Sequence, residues 1–179
     1  MLGKSNPDYV IESALPEDLE VLFAIEARAT ERFDTDTLPP DLPLRMLPDK
    51  GLDKAQAEGR VFVARSRDGR VMGFALVEVL EGVALLEELD VDPTDGRRGV
   101  GTRLVDAACD WARDQGFSRI VLSTFRDVPW NAPFYARLGW IEIPIAERTR
   151  ALDQMAESEA RLGFDPAERV LMAMSLDRP

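Results

Sequence analysis

The segment 91–102 constrains this chain most, because it places a basic, glycine-rich turn between a strand pattern and a helix pattern. It reads Val-Asp-Pro-Thr-Asp-Gly-Arg-Arg-Gly-Val-Gly-Thr. An apolar run from Val83 to Leu89 precedes it, and an amphipathic pattern from Thr102 to Gln115 follows it. The first amides of a helix have no internal partner and carry partial positive charge, and glycine lets the backbone approach an anion closely. The segment therefore predicts a turn that binds phosphate.

Two familiar phosphate-binding motifs do not fit this turn. The dinucleotide fingerprint needs a third glycine where the chain has Leu104. The nucleotide P-loop agrees with the separation of Gly96 and Gly101 and with Thr102 after them, but it requires a lysine between the last glycine and the hydroxyl residue. A P-loop nucleotide binder is thus an alternative against which the missing lysine argues.

The turn resembles the acyl-CoA site of the GNAT superfamily of N-acetyltransferases. That pattern has Gln or Arg, two residues, Gly, one residue, then Gly or Ala; Gly99 and Gly101 match its last two positions, and Gly96 at the first is a departure. About 30 residues further on, the block 131–140 resembles the superfamily's Tyr-x-x-x-Gly-aromatic signature through Tyr135 and Gly139. The two blocks have the order and spacing of the superfamily, and the resemblance covers roughly 83–143.

This resemblance implies that acetyl-CoA is the cosubstrate. The backbone amides of the turn would surround the pyrophosphate, and the amide-rich pantetheine arm would pair with the strand edge 89–91. The residues expected to bind the coenzyme are Leu89, Asp90, Val91, Gly96, Arg97, Arg98, Gly99, Val100, Gly101, Thr102 and Asn131.

The same resemblance indicates two catalytic residues. In polyamine-acetylating members a Glu at the spacing of Glu87 helps to remove the proton of the amine, so Glu87 is the predicted base or amine anchor and Glu88 the second candidate. Consecutive strand residues face opposite sides, and a surface strand carboxylate is the alternative interpretation. Tyr135 matches the general acid, since its ordinary pKa near 10 lies above that of a thiol. Leu85 stands where other members carry their base.

The chain as a whole predicts an α/β (α+β) fold in a single domain over 1–179. The resemblance implies a mixed, mostly antiparallel sheet of six to seven strands with helices on both faces and strands splayed at the CoA site. Predicted strands span 8–14, 60–65, 71–80, 83–91, 119–125, 140–143 and 169–176, and predicted helices span 16–32, 52–58, 102–115, 129–138 and 145–163. The helical crossover predicts that strands 83–91 and 119–125 are parallel.

Two segments bear on the acceptor. The minimal superfamily pattern has only a turn where this chain has a polar helix at 145–163, which could cover the acceptor site, contact a partner subunit or be a plain surface helix. The first helix and the proline-rich segment 33–48 cover the acceptor site in family members, and here they carry the acids Glu26, Glu31, Asp34 and Asp36. Those acids are either solvated or suited to a cationic amine.

Composition excludes several classes of function. A net charge of −11 argues against nucleic-acid binding. The chain has no histidine, which makes a metal site improbable, and its single cysteine, Cys109, has no base to activate it. Neither a secretory signal nor an apolar run of ~18 residues is seen, so a cytoplasmic protein with no membrane contact is expected. Family members often dimerise, which allows a homodimer.

The sequence thus predicts an N-acetyltransferase that moves the acetyl group of acetyl-CoA to an amine of a small molecule or peptide. The alternative from another class is a non-catalytic acyl-CoA-binding regulatory protein. Turnover with an amine separates the two.

Overall fold

Seven strands form one mixed sheet in the computed structural model, which describes residues 8–34, 37–39 and 49–177. The strands are β1 (Tyr9–Ser13), β2 (Val61–Ser66), β3 (Val71–Leu80), β4 (Val83–Val91), β5 (Arg119–Phe125), β6 (Ile141–Glu142) and β7 (Arg169–Ser175). Their order in the sheet is β1-β2-β3-β4-β5-β7-β6. The predicted fold class, a mostly antiparallel mixed sheet with helices, is confirmed.

The strand pairings follow from the connections. The turn 66–70 joins β2 to β3 with Gly69 at φ 88°, and the two strands pair antiparallel. β4 and β5 are joined through a helix and pair parallel at Ala84–Ile120 and Leu85–Val121, as predicted. β7 then pairs antiparallel with both β5 and β6.

Five α-helices are described, and most of them differ from the predicted bounds only at their ends. They are α1 (Leu19–Thr30), α2 (Asp49–Ala57), α3 (Val100–Asp114), α4 (Ala132–Arg137) and α5 (Arg150–Arg161). α1 follows a 3₁₀ turn at Pro16–Asp18, so the predicted start at Pro16 is a tighter helix. Residues 35–36 and 40–48, including Asp36 and most of the predicted proline-rich segment, lie outside the described residues.

The described chain divides into two compact units. The first takes residues 8–32, 49–77 and 88–108, and the second takes 33–34, 37–39, 78–87 and 109–177. The first unit has its own core, in which Leu22 and Ile25 of α1 pack with Leu52 of α2 and with inward residues of β2 and β3 such as Val63 and Phe74. Whether the chain behaves as the predicted single domain stays a prediction.

The second unit has a separate core to which α5 belongs. Leu152 of α5 is fully buried and packs with Leu85, Val121 and Leu171 of the sheet. A 3₁₀ turn at Ile145–Glu147 comes first, and the helix begins only after Thr149, whose hydroxyl accepts from the Leu152 N–H. The helix predicted over 145–163 is therefore shorter. It buries Ala151 and Leu152 and leaves its other residues partly or fully exposed, which is compatible with a surface helix; a role over the acceptor site or against a partner subunit stays a prediction.

No helix within the described ranges is both long enough and apolar enough to span a bilayer.

We expect Leu152→Ala to destabilise the protein by about 3 kcal/mol, because it opens a cavity in a core that cannot fully collapse. Leu162→Ala, just past the end of the same helix at a residue that is 52% exposed, should change stability by less than about 0.5 kcal/mol. Urea unfolding followed by circular dichroism measures both. Equal losses would show that α5 is not held by its buried face.

Candidate functional site

In the first unit, the turn between β4 and α3 has the backbone of an anion-binding loop. A 3₁₀ turn at Pro93–Asp95 leads to Arg97 at φ 62° and Gly99 at φ 77°, both in the left-handed region. The Arg103 N–H donates to the Gly99 carbonyl at 3.2 Å, so the amides of 100–102 lie ahead of the helix's first bond. Left-handed residues next to a helix start direct successive N–H groups toward one point, an arrangement that suits phosphate.

Two buried aspartates hold this turn through ion pairs. Asp92 is 6% exposed and accepts from Arg28 at 2.7 and 3.0 Å. Asp95 is 1% exposed and accepts two bonds from Arg70, at 2.6 and 3.0 Å, and one from Arg98 at 2.9 Å. The side chain of Arg98 is thereby engaged with the turn itself. These pairs fix the turn from outside its own backbone.

Hydrogen bonds also set the ionisation of Asp92. Burial, the largest single influence, raises its pKa, but bonds from Thr94 and the neighbouring Arg28 outweigh burial and hold the pKa below its ordinary value. Asp92 therefore stays a carboxylate and keeps its ion pair. Sequence reasoning treated Asp92 only as part of the family pattern.

Tyr9 of β1 supports the same turn and was missed at the level of sequence. Its ring is buried, and its hydroxyl donates to the Arg98 carbonyl at 3.4 Å. Arg103 lies over the Tyr9 ring at 5.0 Å. No local signal could have linked residue 9 to residue 98, because the contact depends on where β1 joins the sheet.

The strand end 89–91 lies against β3 at a glycine. A Cβ at Gly73 would stand 2.6 Å from the Asp90 carbonyl oxygen and 3.0 Å from the Val91 Cα, so only glycine fits there. Asp90 is half-buried, and its pKa is raised to about 8, chiefly by burial and then by Glu26, with Arg32 acting in the opposite direction. Glu26 is itself 3% exposed. The first unit thus holds a carboxyl group at Asp90 that stays largely protonated near neutral pH.

Glu87 lies in the second unit, on β4, with an exposed carboxylate. Surrounding protein atoms limit its hydration and raise its pKa; Glu78 and Glu159 add to the rise, and Arg169 opposes it. The Glu87 residue is exposed, but the protein atoms near it reduce the hydration of the carboxylate, and this reduction raises its pKa. A carboxylate with a raised pKa is a better proton acceptor than an ordinary glutamate.

Tyr135 and Asn131, also in the second unit, differ from expectation in their packing. Tyr135 is 8% exposed and contacts the rings of Phe134 and Trp140 at 5.1 and 5.6 Å, so its ring is part of an apolar cluster. Asn131 precedes α4, and its side chain makes no cap bond to the helix. Its Oδ1 accepts from the Thr124 hydroxyl at 2.5 Å instead.

An aromatic cluster in the second unit contacts Arg169, which is one of the charges that act on Glu87. Phe33 contacts Phe125 at 5.4 Å and Trp130 at 5.8 Å, and Phe125 contacts Phe164 at 5.8 Å. The Arg169 guanidinium lies 4.7 Å from the centre of the Phe125 ring and 4.9 Å from that of Phe164. Aromatic faces and carboxylates are the groups that attract an ammonium.

Apart from Asn131, the residues expected to bind the coenzyme all belong to the first unit, and Glu87 and Tyr135 to the second. Within the described residues, no group of histidine, cysteine and acidic side chains is arranged to hold a metal ion. The first unit can bind a diphosphate through amides, and the second offers carboxylates and aromatic rings.

Comparison with known proteins agrees with this chemistry. The model of the acetyltransferase (GNAT) family matches residues 21–140, more than half of the chain. Streptothricin acetyltransferase of Streptomyces lavendulae is 29% identical over 156 residues, covering 74% of this chain and 81% of the relative. The chain therefore belongs to the GNAT family of acetyltransferases.

Solved structures show the same fold. N-acetylglutamate synthase from Neisseria gonorrhoeae, complexed with coenzyme A and N-acetyl-glutamate, superposes with a TM-score of 0.72 at 17% identity, over 95% of this chain but 35% of that one. Nourseothricin acetyltransferase superposes with a TM-score of 0.60 at 21% identity, over 95% of this chain and 99% of that one. The protein is an acyltransferase whose cosubstrate is acetyl-CoA.

Gly99→Ala should weaken coenzyme A binding about tenfold, because alanine disfavours φ 77° and the amides that follow must shift. Gly69→Ala is the matched control: Gly69 has φ 88° and open space where a Cβ would be, but it lies in the β2–β3 turn. Both variants should lose about 1 kcal/mol of stability to the left-handed strain. Calorimetric titration with coenzyme A should separate them, and equal affinities would contradict a role for the turn.

Proposed function

We propose that the protein transfers the acetyl group of acetyl-CoA to a primary amine of a small cationic molecule, with streptothricin-like compounds as the first acceptors to test. The observation that carries the acceptor class is the charge around Glu87, where Glu78 and Glu159 contribute negative charge and the pKa of Glu87 is raised. The net charge of −11 also favours the approach of a cation.

The relatives support this choice of acceptor. The similarity to streptothricin acetyltransferase extends over 74% of this chain and 81% of the relative. Trp130, which is 39% exposed, is the ring of the aromatic cluster that an acceptor cation can reach, because Phe125 and Phe164 are 6% exposed and already contact Arg169. A carboxylate and a ring face can together stabilise the ammonium group of an acceptor.

Glu87 is proposed as the base. An alkylammonium has a pKa of about 10.4 and must lose a proton before its nitrogen can attack a carbonyl. Reduced hydration and like charges raise the pKa of Glu87, which brings it closer to that of its proton donor. Glu88 is the second candidate, and a water molecule can carry the proton between the amine and either carboxylate.

Tyr135 is proposed as the acid. Its phenol would give a proton to the sulfur of the coenzyme as the thioester opens, and its ring contacts with Phe134 and Trp140 fix where that hydroxyl lies. Asn131, whose Oδ1 accepts a hydrogen bond from the Thr124 hydroxyl, lies close to Tyr135 in the sequence and is proposed to contact the coenzyme chain.

The proposed transfer balances as follows. Acetyl-CoA supplies the acetyl thioester. The ammonium gives one proton to Glu87, the nitrogen bonds to the acetyl carbon as the carbon–sulfur bond breaks, and Tyr135 protonates the sulfur. The nitrogen then loses a second proton, which restores the phenol, and Glu87 returns its proton to solvent. The products are an N-acetyl amine, the free thiol and one proton.

A screen of acceptors tests the proposal. With acetyl-CoA and thiol detection, we expect streptothricin or a polyamine to give a kcat/KM at least about tenfold above that of glutamate or a peptide N-terminus, since charge complementarity raises the encounter rate of a cationic acceptor and disfavours an acidic one. Reactions without acceptor control for hydrolysis. Preference for an amino acid or peptide would overturn the cationic class.

The catalytic roles are tested separately with the best acceptor. Glu87→Gln and Tyr135→Phe should each lower kcat/KM about 10²-fold, because each removes one proton-transfer group. Glu88→Gln tests the second candidate: it should stay near the wild-type rate if Glu87 is the base, and a comparable loss would assign the role to Glu88. Coenzyme A affinity should not change in any of the three, and a fully active Glu87→Gln variant would rule out Glu87 as the base.

The non-catalytic regulator is not favoured, since the family model and the relatives are acetyltransferases. It would become the better account if coenzyme A bound tightly and no amine in the screen released thiol.

A further inference from the structure

Glu159, Arg169 and Ser123 form one hydrogen-bonded cluster in the second unit, on the sheet face that carries Glu87. Leu85 of β4 pairs with Val121 of β5, and both pack with Leu152 of α5 on that face. Glu87 and Ser123 lie two residues further along the same strands, so their side chains point to the same face. The carboxylate of Glu159, on α5, accepts from Arg169 Nη2 at 2.7 Å and from the Ser123 hydroxyl at 2.8 Å. Arg169 Nη2 also lies 3.1 Å from the Ser123 oxygen. The side chains of Glu159 and Arg169 are 19% and 16% exposed, so the pair is largely withdrawn from solvent.

Aromatic packing holds the charges of this cluster in place. The Arg169 guanidinium contacts the ring faces of Phe125 and Phe164, one from β5 and the other from the loop before β7. Two rings and two hydrogen-bond acceptors leave Arg169 few other positions. Its positive charge is therefore fixed at the start of β7, beside β5.

Three charges act on Glu87 from the elements around it. Glu78 on β3 and Glu159 on α5 favour its protonated form, and Arg169 at the start of β7 favours its carboxylate. Without Glu159, Arg169 would be a buried cation with Glu87 as a nearby carboxylate to pair with. Such a pairing would tie up Glu87 and offset the charge that attracts an ammonium.

We propose that Glu159 is a positioning residue that engages Arg169 and so keeps Glu87 available to the acceptor amine. This role rests on the proposed function, in which Glu87 is the base. This role would also explain why the chain has α5 where the minimal family pattern has only a turn. The helix places the Glu159 carboxylate against Arg169 at the start of β7. Glu159 acts through Arg169 and touches neither the amine nor the coenzyme in this role.

The pH dependence of the reaction tests the proposal, because the two single variants should move it in opposite directions. The rate falls at low pH as the base is protonated. Glu159→Gln removes a negative charge and releases Arg169, which lowers the pKa of Glu87 and should shift the acidic limb of kcat/KM to lower pH by roughly half a unit or more. Arg169→Gln should shift that limb to higher pH by a similar amount.

Two further variants remove the simpler explanations. Glu159→Gln combined with Arg169→Gln deletes both charges and should return the limb toward the wild-type position, whereas lost packing would add up. Glu142→Gln changes net charge equally at a carboxylate that pairs with Arg126 and is not among the charges acting on Glu87, so its limb should not move.

The outcomes separate this proposal from the one on which it rests. Carbon-13 NMR titration of the Glu87 carboxyl reports the same opposed shifts without turnover, even in a variant of low activity. If Glu87→Gln is inactive and the limbs of Glu159→Gln and Arg169→Gln coincide with that of the wild type, the role of Glu159 is wrong and Glu87 remains the base. If Glu87→Gln is fully active, the proposed base is wrong, and the role of Glu159 in keeping it available is wrong with it.

Discussion

The turn between β4 and α3 depends on the ion pairs of Asp92 and Asp95. The turn contains a non-glycine residue, Arg97, in the left-handed region, which costs about 1–2 kcal/mol and does not persist unless its surroundings fix it. Arg28 from α1 and Arg70 from the β2–β3 turn supply that constraint by binding two carboxylates that are almost fully buried. Because a buried carboxylate left without its partner is strongly unfavourable, these pairs tie the shape of the turn to the packing of the whole first unit.

Much of the fold could be predicted because its signals are local. The bounds of β3, β4 and β5 follow from valine-rich runs that end at glycine or at charged turns. α3 begins at Val100 instead of the predicted Thr102, since Gly101 is tolerated in a first turn whose amides are unpaired in any case. α2 begins at Asp49, three residues before the predicted start, with Gly51 inside the helix.

The candidate site was less predictable, because its supporting contacts join distant parts of the chain. Asp92 is 64 residues from Arg28, and Tyr9 is 89 residues from Arg98. The turn and its glycines carry a recognisable pattern, but nothing at residues 9, 28 or 70 indicates a partner near residue 95. Burial of Tyr135 and the bond between Thr124 and Asn131 likewise depend on tertiary packing, which a short helical pattern does not encode.

The division of residues between the two units has a consequence for how such enzymes diverge. Apart from Asn131, the positions expected to bind the coenzyme belong to the first unit, and the carboxylates and rings assigned to the acceptor belong to the second. Although the chain passes between the two units several times, mutations that change the choice of amine can fall in segments other than those that form the turn. The choice of acceptor can then change through such mutations while the protein continues to use acetyl-CoA.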